Sequence, residues 1–156
     1  MPEPMFGKTL ARIIRKRSRA LLSGANGAFK RGHDAELHAL RIDVKRLRYT
    51  LELAVPIARD EALTALDLLA LLQERLADLA DADTFGRTYA ALAKALPAND
   101  PRLPGLETLR AQAIRAPPKR ALETGRALWR GAETPYPERL AASISATLGS
   151  LSNGVA

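Results

Sequence analysis

The chain has 156 residues and no cysteine. That is enough for one domain with a core of its own, and it excludes disulfides and thiolate metal ligands. Its 24 Lys and Arg against 17 Asp and Glu give a formal charge of +7, spread unevenly as +8 over residues 1–50, −5 over 51–100 and +4 over 101–156. A cationic surface built from the two ends of the sequence, with acids in the middle facing elsewhere, suits a phosphate-rich partner.

Aromatic residues make up 4% of the chain, and Ala and Leu dominate. A core of small and medium aliphatics favours helices. No apolar run approaches the roughly 18 residues of a membrane span. The N-terminal apolar residues are interrupted by Arg12, Arg15, Lys16, Arg17 and Arg19, which argues against a signal peptide. The expectation is a soluble cytoplasmic protein with no membrane partner.

Residues 1–6, with two prolines, read as a loose lead. A first helix is predicted over Thr9–Leu22, where Leu10, Ile14 and Leu21 share one stripe within about 40° and Ile13 widens it. Arg12, Arg15, Lys16 and Arg19 make a one-sided basic face on it. Ser23-Gly24-Ala25-Asn26-Gly27 could end this helix, or Ala28–Arg31 could continue it past a weak point. Gly32-His33-Asp34 supplies a turn, with Asp34 as candidate N-cap.

The second helix follows and ends near Pro56. Leu40, Val44, Leu47 and Leu51 fall within about 60° and form its buried stripe. His38, Arg41, Lys45 and Arg48 lie within about 80° on a neighbouring face, and the helix's acids, Asp43 and Glu52, are expected to lie off that face. Two such basic faces side by side would make a groove.

Asp60 is a candidate cap for a third helix, hydrophobic round much of its girth through Leu63, Leu66, Leu69, Leu72 and Leu76 with Ala62, Ala65 and Ala70, as a helix between neighbours should be. Asp78, Asp81 and Asp83 mark a break or bend before a fourth helix carrying Phe85, Tyr89, Leu92 and Leu96 and ending at Pro97. Residues 97–105 form the clearest loop. Leu106–Ile114 gives a fifth helix, stopped or sharply kinked at Pro117-Pro118, and Lys119–Gly131 a sixth, on which Lys119, Arg126 and Arg130 make a third basic stripe. Pro135-Tyr136-Pro137 reads as a rigid extended link, and Glu138–Leu148 as a short helix before a frayed Ser/Gly tail.

The stretch Leu37–Leu53, followed by Leu71–Asp81, resembles the CHAD domains, helical proteins named for a conserved histidine. Their pattern reads histidine, x, leucine, arginine, then lysine-arginine-leucine-arginine-tyrosine, and later leucine-glutamine, two residues, leucine-glycine and an aspartate. His38, Leu40, Arg41 and Lys45-Arg46-Leu47-Arg48-Tyr49 follow it, as does Leu72-Gln73-Glu74-Arg75-Leu76, with Ala77 where the family has glycine. The resemblance implies an all-α fold and binding of inorganic polyphosphate through basic residues, Arg46 included, with polyphosphate granules as one candidate location. A typical member carries two such bundles in tandem and this chain has room for one, so a homodimer that restores a longer channel is expected.

The expected fold is therefore an antiparallel four-helix bundle with additional C-terminal helices, a single domain over 1–156 with its core bundle at about 8–131 and a short helix and tail at 138–156. The candidate polyphosphate-binding residues are His38, Arg41, Lys45, Arg48, Arg46, Arg12, Arg15, Lys16, Arg19, Lys119, Arg126 and Arg130. No cofactor is expected and no catalysis, because phosphoanhydride hydrolysis normally needs carboxylates holding Mg²⁺ beside the cations, and the acids sit mainly in another segment. Rival readings are a nucleic-acid-binding protein, disfavoured because only Tyr49 is near the stripe for stacking, and a protein-interaction bundle docking through its acidic middle. Weaker still are a metal site at His33, His38 or the aspartates, and a phosphohistidine module.

Overall fold

Apolar residues recur at helical spacing through most of the chain, and each such run forms a helix. The computed structural model describes residues 3–131 and 133–153, with side chains throughout except at 3, 4, 83 and 114–118. Within these are α1 (Glu3–Arg31), α2 (Asp34–Glu52), α3 (Arg59–Arg75), α4 (Ala77–Ala95), α5 (Leu103–Arg130) and α6 (Tyr136–Asn153). No strand occurs among the described residues, so the fold is all-α as expected.

Four helices close a ring: α1 packs on α2, α2 on α3, α3 on α6 and α6 on α1. Successive members run antiparallel. Arg31 meets Glu36 at 2.8 Å where α1 ends and α2 begins, while Arg17 meets Thr50 near the end of α2. Likewise the Tyr136 hydroxyl at the start of α6 donates to the Leu68 carbonyl at 2.6 Å, and Ser150 near its end donates to Glu61 at 2.9 Å. Inside the ring sit Ile14, Leu21, Leu40, Val44, Leu47, Leu69, Leu72, Leu140 and Ile144, all buried. The expected bundle is thus completed by the C-terminal helix, and α4 leaves it at Leu76 to pack mainly along α5.

Several expected boundaries shift for identifiable reasons. Helix α1 starts at Glu3, within the anticipated loose lead, and runs unbroken to Arg31 through Gly24 and Gly27. Each helical glycine costs about 1 kcal/mol relative to alanine. Burial of Ala25, Ala28 and Phe29 on the same stripe outweighs that, since Phe29 alone is worth about 2–3 kcal/mol. The N-caps of α2 and α3 are His33 and Ala58, without a capping side-chain bond, while Asp34 and Asp60 lie in the first turns. There they face the positive end of each helix dipole.

The break after α3 falls at Leu76, ahead of the aspartates, which belong to α4. Helix α5 continues through Pro117-Pro118 as one element. The two prolines remove two N–H donors from its ladder, but its first part rests on α4 and its last turns are pinned by Ala121 and Trp129, both buried. Tyr136, expected in an extended link, opens α6 and is fully buried, and α6 reaches Asn153 with Leu151 in the core.

If α6 is a member of the bundle, small changes on it should be felt globally. Tyr136→Phe should lower unfolding free energy by about 1 kcal/mol, and Leu140→Ala by about 2–5 kcal/mol, both read from urea denaturation followed by circular dichroism. A frayed appendage would leave both transitions unmoved.

Candidate functional site

The basic residues divide into three sets by the faces their helices must bury. On α1, burial of Leu10, Ile14, Leu21, Ala25 and Ala28 leaves Arg12, Arg15, Lys16 and Arg19 exposed on the far side. Among the described residues none of these four has a carboxylate within 4.0 Å.

On α2 the burial of Leu37, Leu40, Val44, Leu47 and Leu51 orients the second row. His38, Arg41, Lys45 and Arg48 are half-buried and lie towards α3. Arg48 fixes that direction: its Nη1 donates to Gln73 Oε1 on α3 at 3.0 Å, and its Nε lies 3.4 Å from Glu52, which, contrary to the expectation, shares this face one turn on. Arg41 and Lys45 have no carboxylate within 4.0 Å among the described residues. Arg46 occupies the opposite flank of α2, towards α1, and is exposed.

Between α1 and α2 lies a shallow cleft of about 530 Å³ lined by Ile13, Lys16, Arg17, Ala20, Asp43 and Arg46. Arg17 builds it. Its Nη1 donates to the Arg46 carbonyl at 2.9 Å and to the hydroxyl of buried Thr50, which itself donates to the Arg46 carbonyl at 2.8 Å. The α1 row and the α2 row therefore do not face each other across one groove. They flank a cationic ridge, with Lys16, Arg17 and Arg46 in the seam and Asp43 as the acid among them.

The third predicted stripe does not stand open as a row. Lys119 and Arg130 are exposed, but Arg126 turns inward: its Nε donates to the Phe29 carbonyl and its Nη2 to the Lys30 carbonyl at 3.2 Å. These are carbonyls of the last turn of α1, the negative end of a helix dipole. Ion pairs that do form lie away from the α1 row. Arg31, by hydrogen bonding, holds the Glu36 carboxyl below the usual carboxylate range at the α1–α2 turn, and Arg102 does the same to Asp100 between α4 and α5.

Two contributors were not among the candidate binding residues, although Gln73 belongs to the stretch that resembles the family. Arg17 sits at the edge of the buried stripe, next to Ile14 and Leu21 at i−3 and i+4, a position where a long basic side chain can lie across a helix seam. Gln73 gave no charge signal, yet it positions Arg48. Of the candidate metal ligands, Asp78 lies 3.7 Å from Arg120, the Asp83 side chain falls outside the described residues, and no cluster of three or more His, Asp or Glu is found among the described residues. Among these residues no helix is long and apolar enough to cross a membrane.

Among known families, the model of the CHAD domain matches residues 2–90, spanning α1, α2, α3 and most of α4. No curated protein and no solved structure matches. The α1 and α2 rows fall inside the matched region, while Lys119, Arg126 and Arg130 fall outside it.

Arg126 and its neighbours on α5 should separate on stability. Arg126→Ala, which uncaps α1, should cost about 1–3 kcal/mol in urea unfolding, whereas Lys119→Ala and Arg130→Ala should each stay within about 0.5 kcal/mol of the unchanged chain.

Proposed function

Because the chain belongs to the CHAD domain family, we propose that it binds inorganic polyphosphate on the outer surface of α1 and α2, as a binding module without catalysis. The observation that carries this reading is charge left uncompensated. Of Arg12, Arg15, Lys16, Arg17, Arg19, Arg41, Lys45, Arg46 and Arg48, only Arg48 has a carboxylate partner among the described residues. A flexible phosphate chain has no bases and no fixed shape, so closely spaced Arg and Lys on rigid helices suffice to hold it, and a guanidinium can grip two oxygens at once.

In this reading the ridge gives the polymer two tracks. One runs along the α2 row, where Arg41, Lys45 and Arg48 span about 10 Å at 1.5 Å per residue, with His38 as a further hydrogen-bonding group at its end. The other crosses the seam through Lys16, Arg17 and Arg46 to Arg12, Arg15 and Arg19. Lys119 and Arg130 have a smaller share, and Arg126 has a structural one. Affinity comes largely from release of counterions by the polymer.

Calorimetry with polyphosphates of graded length should show affinity rising with length and falling linearly on a log–log plot against salt. Replacing Arg41, Lys45 and Arg48 together with Ala should weaken binding about a hundredfold, at about 1 kcal/mol for each cation. Polyphosphate should displace labelled single-stranded DNA at equal phosphate, and DNA should fail to displace polyphosphate. Undiminished binding by the triple variant would remove the α2 row from the site, and preferential binding of DNA would assign the surface to nucleic acid.

A further inference from the structure

A phosphate polymer has no carbon to bury, and it leaves unexplained the apolar side chains on the outer side of α2. Ile42, Tyr49 and Leu53 are 45%, 58% and 56% exposed. At offsets of 0, 7 and 11 they follow one edge of the helix for about 16 Å, with Lys45 on one side and Arg46 on the other. Such an edge fits a surface that is both acidic and apolar.

Helix α3 presents that chemistry. Asp60, Asp67 and Glu74, seven residues apart, form a line pointing away from its buried face. They are exposed and have no cation within 4.0 Å among the described residues. Leu63 and Leu71 flank them, each 38% exposed. The Arg48–Gln73 contact makes α2 and α3 neighbours, so the basic-apolar and acidic-apolar faces share one side of the bundle.

We propose that this side pairs two copies of the chain, α2 of each lying on α3 of the other. Charge selects the symmetry. A twofold axis parallel to the helices sets α2 over α3 twice, bases against acids, whereas an in-plane axis across them would set α2 over α2 and oppose like charges. The parallel axis preserves level along the bundle. Since Arg48 and Gln73 stand at one level, Lys45 and Arg48 of one copy face Glu74 of the other, and Leu53 and Ile57 lie towards Leu63. Two helices about 10 Å apart over about 15 residues offer an interface at the small end of the stable range. The dimer is accordingly a micromolar one that salt weakens. The α1 row faces away and stays open. The pairing does not rest on polyphosphate binding, although Lys45 and Arg48 serve both.

Sedimentation equilibrium on the full chain without any polyanion, from about 10 µM to about 1 mM, tests it, with circular dichroism to establish that each variant is folded. The unchanged chain should dimerise. Lys45→Glu alone and Glu74→Lys alone should each weaken the dimer tenfold or more, and an equimolar mixture of the two should restore it, because both α2–α3 contacts then join opposite charges. A monomer across the whole range, association indifferent to both changes, or a mixture no tighter than either variant alone would overturn the proposal. So would a monomer that floats with anionic-lipid vesicles and loses them on Tyr49→Ser, which would give this face to a lipid surface.

Discussion

Like charges crowded on adjacent helices repel, and this fold has to hold that repulsion in place. Two exposed unit charges about 8 Å apart oppose each other by about 0.5 kcal/mol in water, less at physiological salt. Each fully buried leucine returns about 2 kcal/mol, and α1 and α2 bury Leu10, Leu21, Leu37, Leu40, Leu47 and Leu51. The core therefore tolerates cation rows in which, among the described residues, only Arg48 has a carboxylate partner.

The residues that carry the rows and those that close the core are far apart in sequence. The rows lie within residues 2–90, but the ring needs α6, and the end of α1 is fixed by α5. Trp129 is the joint: its ring centroid lies 5.3 Å from that of Phe29 and 5.4 Å from that of Tyr136, and its indole N–H donates to Asn26 at 3.0 Å. Arg126 ties the last carbonyls of α1 to the same helix. The chain then reverses into α2 at Gly32, whose φ of +70° suits glycine. Displacing α5 would shift α1 against α2, and with it the level of Arg17 against Arg46.

How far this was legible from the residues follows the range of the interactions. The α2 stripe was legible because Leu40, Val44, Leu47 and Leu51 are a local periodicity, and the orientation of Arg41, Lys45 and Arg48 follows from theirs. The continuity of α1 through Gly24 and Gly27 was not, because it depends on Phe29 meeting Trp129 a hundred residues later. Local chemistry at Asn26 and Gly27 says stop, and a distant aromatic overrules it. Arg126 read as one member of a basic stripe for the same reason: its partners are carbonyls of α1, and carbonyls leave no trace in a sequence. Tyr136 between two prolines looked like a link because the Leu68 carbonyl that receives its hydroxyl belongs to another helix.

The segment Leu72-Gln73-Glu74-Arg75-Leu76-Ala77 shows how core and surface are specified together. Leu72 and Leu76, four residues apart, are fully buried and fix the rotation of α3. That rotation turns Gln73 to the α2 seam, where its carbonyl oxygen accepts from Arg48. A glutamate there would hold the guanidinium equally well but cancel its charge, whereas the neutral amide orients it and leaves the charge in place. The partly exposed Glu52, one turn along α2, is worth a few tenths of a kcal/mol to Arg48. Ala77 fits where the family has glycine, because Leu76 turns the corner at φ −95° and no residue other than glycine takes a positive φ among the described residues. Arg48 is therefore held in position by a neutral partner, and most of its charge stays available to whatever anion approaches α2.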